Sequence, residues 1–445
     1  MSSQNPSTSH SASQLYRGYI LGCQTFTKEL MKLTRRQFAQ LAAATVALPW
    51  AVPAASPAPD EEHRPEFRWL ARERRTVFEG HENCWHPQIV RARNGVLFLS
   101  FLLGDPPKTI LLRSGDNGQT WSEPQLIHDR FQLDGGGGWG LAALSNGRLL
   151  MSYLDIAPWQ RLPQWPPASE PRVMGLWPEK GLRTWAWHPE STELILRTLH
   201  SDDGGTKWTI NAPIALAPWL GAIPHGSGSI FESGNTVYMP VWAWRSKGHF
   251  GNCGLLASSD GGVTWSPGPL IAQQDPRQRV EYRESTVQVL PTGEWIALCR
   301  ANQPNYYESL NVSTHIVRSH DGRTWSNPRP AFVAMGFPRL TLLPDGGLLA
   351  SGSYSEGLHF YISYDSGESW AFEDNLYSRD SRLGLERLDV GSPSIAALDD
   401  QRMVAVYYAA TDKTPIMHKV LPATNRIEAV FLHRTKNSLA NVLLS

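Results

Sequence analysis

The chain has 445 residues, with 41 Lys and Arg against 41 Asp and Glu, 41% hydrophobic and 18% charged residues. A formal net charge of zero removes the global attraction on which non-specific binding to nucleic acid or an anionic membrane rests, and 10% aromatic residues exclude a disordered composition. The 37 Gly, 33 Pro and 18 Trp, without long apolar heptads, argue against a helical bundle and for a turn-rich, all-β chain.

Residues 1–59 read as a leader. Met31-Lys32-Leu33-Thr34-Arg35-Arg36-Gln37-Phe38 precedes the apolar run Leu41 to Val52 and the small residues around Pro53-Ala54, the layout of an export signal. The paired Arg35-Arg36 resembles a twin-arginine signal, which makes Met31 a candidate start. The apolar run is shorter than the roughly 20 residues of a stable membrane span. The expectation is a mature part, residues 60–445, delivered to the periplasm or the exterior without membrane insertion. Cys84, Cys253 and Cys299 follow the leader with no C-x-x-C pair, and no spacing of His and Cys marks a metal site, so neither metal nor cofactor is expected.

From residue 84 onward, apolar runs pair around turn dipeptides of the kind that favours hairpins. Ile89–Arg93 and Val96–Phe101 flank Asn94-Gly95, Leu141–Leu144 and Leu149–Tyr153 flank Asn146-Gly147, and Ser229–Glu232 and Val237–Trp242 flank Ser233-Gly234. Thr286–Leu290 and Trp295–Arg300 flank Thr292-Gly293, Leu340–Leu343 and Leu348–Ser353 flank Asp345-Gly346, and Ile395–Leu398 and Met403–Tyr408 flank Asp399-Asp400. Between them recurs Ser-x-Asp-x-Gly-x-x-Trp, at Ser114–Trp121, Ser201–Trp208, Ser258–Trp265 and Ser363–Trp370, with a shortened copy at Ser319–Trp325. In each, Asp can accept backbone N–H bonds, Gly can take a positive φ and Trp can bury its ring. Six hairpins and five boxes predict six small sheets in a ring, a six-bladed β-propeller. The sixth would take its outer strands from both chain ends, Arg75–Phe78 and Ile427–His433, and leave no free edge.

The boxes resemble the Asp-box repeats of the sialidase superfamily, whose members are six-bladed propellers, over residues 75–435. Boxes of this kind lie on outer turns in that family and speak to architecture alone.

The chemistry is expected at one end of the ring, where each first strand starts and each second strand ends. Counting nine residues back from the turn glycines reaches His86, Gly138, His225, Glu284 and Phe337, and the same offset from Gln401 reaches Ser392. Two residues further on stand Gln88, Thr286, Arg339 and Ser394, among others, and the second strands end near Asp105, Asp155, Trp242, Arg300, Tyr354 and Tyr408. So many ionisable groups at one mouth are costly to place together without a task. The segment from Glu284 to Arg300 resembles the sialidase stretch in which a glutamate assists a tyrosine nucleophile and an arginine binds the substrate carboxylate; the resemblance gives Glu284 and Arg300 those roles. It also implies Asp105 as acid/base and Arg339 as a second carboxylate-binding arginine. An ion pair buttressing the mouth (Glu284, Arg300) and an Asp-Pro turn (Asp105) remain open readings. His86 and His225 are candidates for a general base or for hydrogen bonds to sugar hydroxyls. Asp389, Tyr354, Tyr408 and Trp242 complete the candidate binding set.

Two departures stand out. Cys84-Trp85-His86-Pro87 has a histidine where sialidases carry the arginine of Phe-Arg-Ile-Pro, and Asp389-Val390-Gly391-Ser392-Pro393-Ser394 has Ser392 where relatives have tyrosine. Residues 157–190 hold five Trp and seven Pro, which suits a loop stacking on sugar rings or one packing on its own blades. The expectation is an exported sialidase-like glycoside hydrolase acting on a terminal, acidic sugar of a glycan. A non-catalytic glycan-binding propeller and a lyase of uronic-acid polymers are the alternatives.

Overall fold

The computed structural model describes residues 67–82, 84–104, 108–127, 137–157, 160–162, 174–176, 184–187, 193–224, 230–244, 251–273, 280–302, 313–331, 335–354, 357–378, 389–410 and 425–436. Among the described residues every regular element is a strand. Six antiparallel sheets follow one another along the chain, and each packs on the next. This is the six-bladed β-propeller.

Blade 1 runs outward from Cys84–Arg91 through Leu97–Leu103 and Lys108–Ser114 to Gln125–Leu126. Blades 2, 4 and 5 repeat that order from the inner strands Gly137–Ala143, Glu281–Val289 and Gly336–Leu342. In blade 3 the inner strand comes in two pieces, Gly221–Pro224 and Phe231–Ser233, both paired with Thr236–Trp244. Blade 6 starts at Asp389–Ala397, and its outer strands come from the two ends of the described chain: Asn425–Lys436 pairs with Phe67–Gly80 from Gly80 opposite Asn425 to Phe67 opposite Lys436. The expected closure of the ring is therefore present. A further three-stranded sheet, Gln160–Leu162, Thr184–Trp187 and Met174–Leu176, lies in the insertion between two strands of blade 2.

The sequence dictates this stacking because the blade strands are apolar on both faces. Leu97–Leu103 reads LFLSFLL and is buried at six of seven positions, the pattern of a strand covered from both sides. The buried side chains fall into six clusters among the described residues, one between each pair of neighbouring blades. Leu111, Leu149 and Leu199 join blades 1 and 2, for example, and Trp69, Phe360 and Tyr407 join blades 5 and 6. Each such leucine contributes roughly 1.5–3 kcal/mol through burial.

The Ser-x-Asp turns lock the blades at their outer ends. Ser114 Oγ donates to Asp116 Oδ1 at 2.7 Å and accepts the Gly118 N–H at 2.8 Å, while the Asp116 carboxylate accepts from Thr120 N and Oγ1 at 2.9 and 2.6 Å. The turns at Ser201, Ser258 and Ser363 repeat the serine bonds, and the shortened turn keeps Ser319 Oγ to Asp321 at 2.9 Å. The turn glycine presses on the preceding blade. Gly262 has φ +87°, and a Cβ there would meet Leu150 Cδ2 at 2.4 Å.

Gly262→Ala combines an unfavourable φ with overpacking of Leu150, and a loss of about 1–3 kcal/mol is expected in denaturant unfolding. Bonds from the Thr120 side chain, the Thr120 backbone and Ser114 lower Asp116 from 3.8 to about 2. At Asp260 burial acts upward but is outweighed by bonds from Thr264, Ser258 and Val263, again giving about 2. Folded values below the unfolded one stabilise above the unfolded pKa, and that contribution disappears as pH falls from about 4 through about 2. Thermal midpoints should drop mainly in that window, and less steeply in an Asp116→Asn, Asp260→Asn double variant.

Candidate functional site

The inner strands share an irregularity near the end where they start. In five blades the register with the second strand slips, between Trp85 and Gln88, Gly138 and Gly140, Arg283 and Ser285, Gly336 and Arg339, and Gly391 and Ser394. In four of them the bulged residue has a left-handed backbone: His86 φ 48°, Glu284 φ 45°, Phe337 φ 54° and Ser392 φ 51°. Such bulges re-aim side chains, and each non-glycine residue held this way costs on the order of 1–3 kcal/mol. Proline follows three of them (Pro87, Pro338, Pro393). Lacking an N–H, it leaves no orphan donor where the ladder breaks.

The four strained residues meet. His86 Nδ1 is 3.0 Å from Ser392 Oγ, joining blades 1 and 6. The His86 ring packs 5.3 Å from that of Phe337 of blade 5, and the Phe337 N–H donates to Glu284 Oε2 of blade 4 at 2.7 Å. Glu284 Oε1 accepts from Arg300 Nη1 at 2.7 Å, an ion pair whose side chains are 7% and 17% exposed. Ser392, His86, Phe337, Glu284 and Arg300 thus form one contact path across the mouth. Tyr408 lies beside it: a Cβ on Gly391 would be 2.3 Å from the Tyr408 hydroxyl, so only glycine fits under that ring.

On its other face the blade 4 strand turns Arg283 toward blade 3, with the guanidinium 4.7 Å from the centre of the Trp242 ring and ion-paired to Glu281. Burial pushes the Glu281 carboxyl up, while Arg283 and Arg300 act in the opposite direction. Behind them the Tyr282 hydroxyl and His315 Nδ1 are 3.2 Å apart, and burial lowers His315 to about 4, so it is neutral at physiological pH.

One step further along the inner strands lies a second layer. Arg339 Nη2 donates to Gln88 Oε1 and, at 2.9 Å, to Ser394 Oγ, which also accepts the Ile89 N–H at 3.1 Å. Arg339 is 4% exposed, and burial lowers its pKa to about 9, leaving it a cation. A cavity of about 610 Å³ follows on the side of the hairpin turns, lined by Ile89, Leu141, Ile230, Gln288, Leu340 and Ile395, one residue near the axis from each blade. Arg339 and Ser394 border it, and none of the four strained residues does.

The structure therefore brings together His86, Glu284, Arg300, Tyr408 and, through Arg283, Trp242. It turns Arg339 into the floor: burial and two bonds to neighbouring inner strands occupy the guanidinium expected to face a substrate. The backbones of Asp389 and Tyr354 sit at strand ends, opposite Ala410 and Gly357. Asp105 and His225 lie outside the described residues. Sequence reasoning missed Arg283 and Glu281. Counting by twos from Glu284 follows the face toward blade 5, whereas these residues occupy the alternate face toward blade 3. The recurrent X-Pro at one offset in blades 1, 5 and 6 was the signal for the bulge.

No protein-family model matches the chain, and no curated protein matches it. Solved structures do. A protein of unknown function from Dyadobacter fermentans is 20% identical with a TM-score of 0.63, over 83% of this chain and 100% of that one. The K499G mutant of NanB sialidase from Streptococcus pneumoniae is 13% identical with a TM-score of 0.54, over 83% and 71%. An alpha-L-arabinanase from Penicillium chrysogenum, complexed with arabinobiose, is 13% identical with a TM-score of 0.54, over 82% and 98%. At these identities what is shared is the propeller fold.

The Glu284–Arg300 pair sets a measurable expectation. Arg300→Met leaves a nearly buried carboxylate without its cation, and a destabilisation of about 3 kcal/mol is expected by urea unfolding, against a smaller loss for Glu284→Gln, which keeps an acceptor for the Phe337 N–H.

Proposed function

We propose that this chain is an exported glycoside hydrolase acting on a terminal acidic sugar, with Arg300 receiving the acidic group and Glu284 serving as base or as the carboxylate that assists a nucleophile. The observation that carries the reading is the 2.7 Å Arg300–Glu284 ion pair, held at the mouth on a backbone of φ 45°. A planar guanidinium matches a carboxylate bidentately. A sugar carboxylate arriving at Arg300 competes with Glu284 Oε1, so recognition of the anion releases the carboxylate oxygen that the chemistry needs. His86 is the second proton-handling group within the same contact path, and Asp105 is the proposed general acid. His225, Asp389, Tyr354 and Tyr408 are the proposed hydroxyl-binding groups around the opening. The sialidase and arabinanase among the structural neighbours support a glycan as the substrate class.

One observation favours a second reading, a propeller that binds glycans without cleaving them: both Glu284 oxygens are already bonded, to Arg300 and to the Phe337 N–H. A carboxylate held twice is a weaker base. Glu284→Gln separates the two. With a panel of acidic glycosides, a hydrolase should lose turnover by about 10²–10⁴-fold while calorimetry finds binding changed only a few-fold. A wild-type protein that binds glycan but releases no sugar, and whose Glu284→Gln variant loses only affinity, sinks the hydrolase reading.

A further inference from the structure

Of the four strained residues, Glu284 and Phe337 have evident tasks in the path just described, and histidine tolerates a left-handed backbone better than most residues. Ser392 is the one whose strain is least accounted for. A glycine would take φ 51° at no steric cost, yet the chain places serine there, 2% exposed, with its hydroxyl on His86. Its backbone is fixed as well, since the Ser392 N–H donates to Ser353 Oγ of blade 5 at 3.2 Å. We propose that Ser392 is a positioning residue, whose hydroxyl engages Nδ1 of His86 and holds the imidazole in its orientation at the mouth.

The two ring nitrogens of a histidine are distinct, and a partner at one bears on the titration of the ring. The ring cannot turn away from this partner easily. It is wedged between Phe337, 5.3 Å away, and its own neighbour Trp85, at 6.5 Å, and it is 9% exposed. The charged and titratable groups around it sit on each adjoining blade. Glu284 reaches Phe337 from blade 4 and carries Arg300 with it, Arg339 from blade 5 bonds Gln88 and Ser394 two residues beyond the pair, and Tyr408 crosses Gly391 of blade 6. Replacing Ser392 leaves all of these in place, so a changed His86 titration reports the lost hydroxyl. The use of the pair in turnover rests on the hydrolase reading above; the hydrogen bond and its effect on the ring do not.

The test compares the wild type with Ser392→Gly and Ser392→Ala, using the full chain with ¹⁵N-labelled histidine rings and assigning His86 by its loss in His86→Gln. Ser392→Gly removes the hydroxyl and the backbone strain together, so its thermal midpoint should equal or exceed that of the wild type, whereas Ser392→Ala keeps the strain. In both variants the His86 midpoint should move by about half a pH unit or more, and its ring-nitrogen shifts should change with it. If active on an acidic glycoside, Ser392→Gly should also shift one limb of the pH–rate profile. Ring-nitrogen shifts and a midpoint unchanged in both variants overturn the proposal. Glu284→Gln keeps the Ser392–His86 pair and should retain the wild-type ring-nitrogen shifts even if it leaves turnover unaltered, so failure of the hydrolase reading is distinguishable from failure of this one.

Discussion

The structure depends on one pairing, the antiparallel ladder between Phe67–Gly80 and Asn425–Lys436. A ring of blades has no interior until it closes, because each sheet buries its faces only against its neighbours. The same N-terminal strand completes the outer edge of blade 6 and leads directly into the inner strand of blade 1. It therefore sets the spacing across which His86 and Ser392, 306 residues apart, come within 3.0 Å. Closure supplies Trp69 to the core between blades 5 and 6, and Ala71 N and Arg68 bond Asp374 and Glu373 of blade 5. The most distant contacts in sequence are thus among those that shape the mouth.

Once the ring is closed, the bulges gather polar side chains at one end of it. Near the axis the inner strands converge, and a regular ladder would continue alternating its side chains between neighbouring blades. The bulges interrupt that alternation at one level in five blades, so residues from four different sheets reach a common path. Glu284 needs both Arg300 and the Phe337 N–H because a nearly buried carboxylate without donors is costly. Glu281 and Arg283 repeat the same balance on the other face of the strand. The layer of Arg339, Gln88 and Ser394 beneath ties blades 5, 1 and 6 together, which gives the strained residues above it a rigid support.

Much of this organisation is legible in the sequence because it rests on local rules. A turn glycine, an aspartate that accepts backbone bonds and a tryptophan recur at blade spacing, and the hairpin dipeptides fix where each strand pair bends. The fixed offset from those glycines even reaches the bulged residues, although nothing local says that they bulge. What the offset could not supply is the third dimension. Arg339 reads as a ligand-facing arginine until its neighbours from blades 1 and 6 are seen to enclose it. Arg283 carries no local signal at all, because only the fold sets blade 3 on that side, with the Trp242 ring beneath the guanidinium. In blade 3 the inner strand divides into two short pieces, so a count that assumes one continuous strand loses its meaning there.

The two ends of the propeller divide their tasks along the same strands. At the hairpin-turn end the axial cavity is bordered by residues from every blade, Gln288, Arg91, Arg93 and Glu232 as well as aliphatic ones, and shape alone would make it the obvious place for a ligand. At the other end the groups are polar, paired and strained. Strain is informative because it persists only where surrounding structure over-determines it, and here four instances stand at the bulges and link into one path across the mouth. A scaffold under no chemical demand has a simple remedy, glycine at each bulge. Blades 1, 4, 5 and 6 carry histidine, glutamate, phenylalanine and serine there instead, so the mouth keeps strain that glycine would have removed.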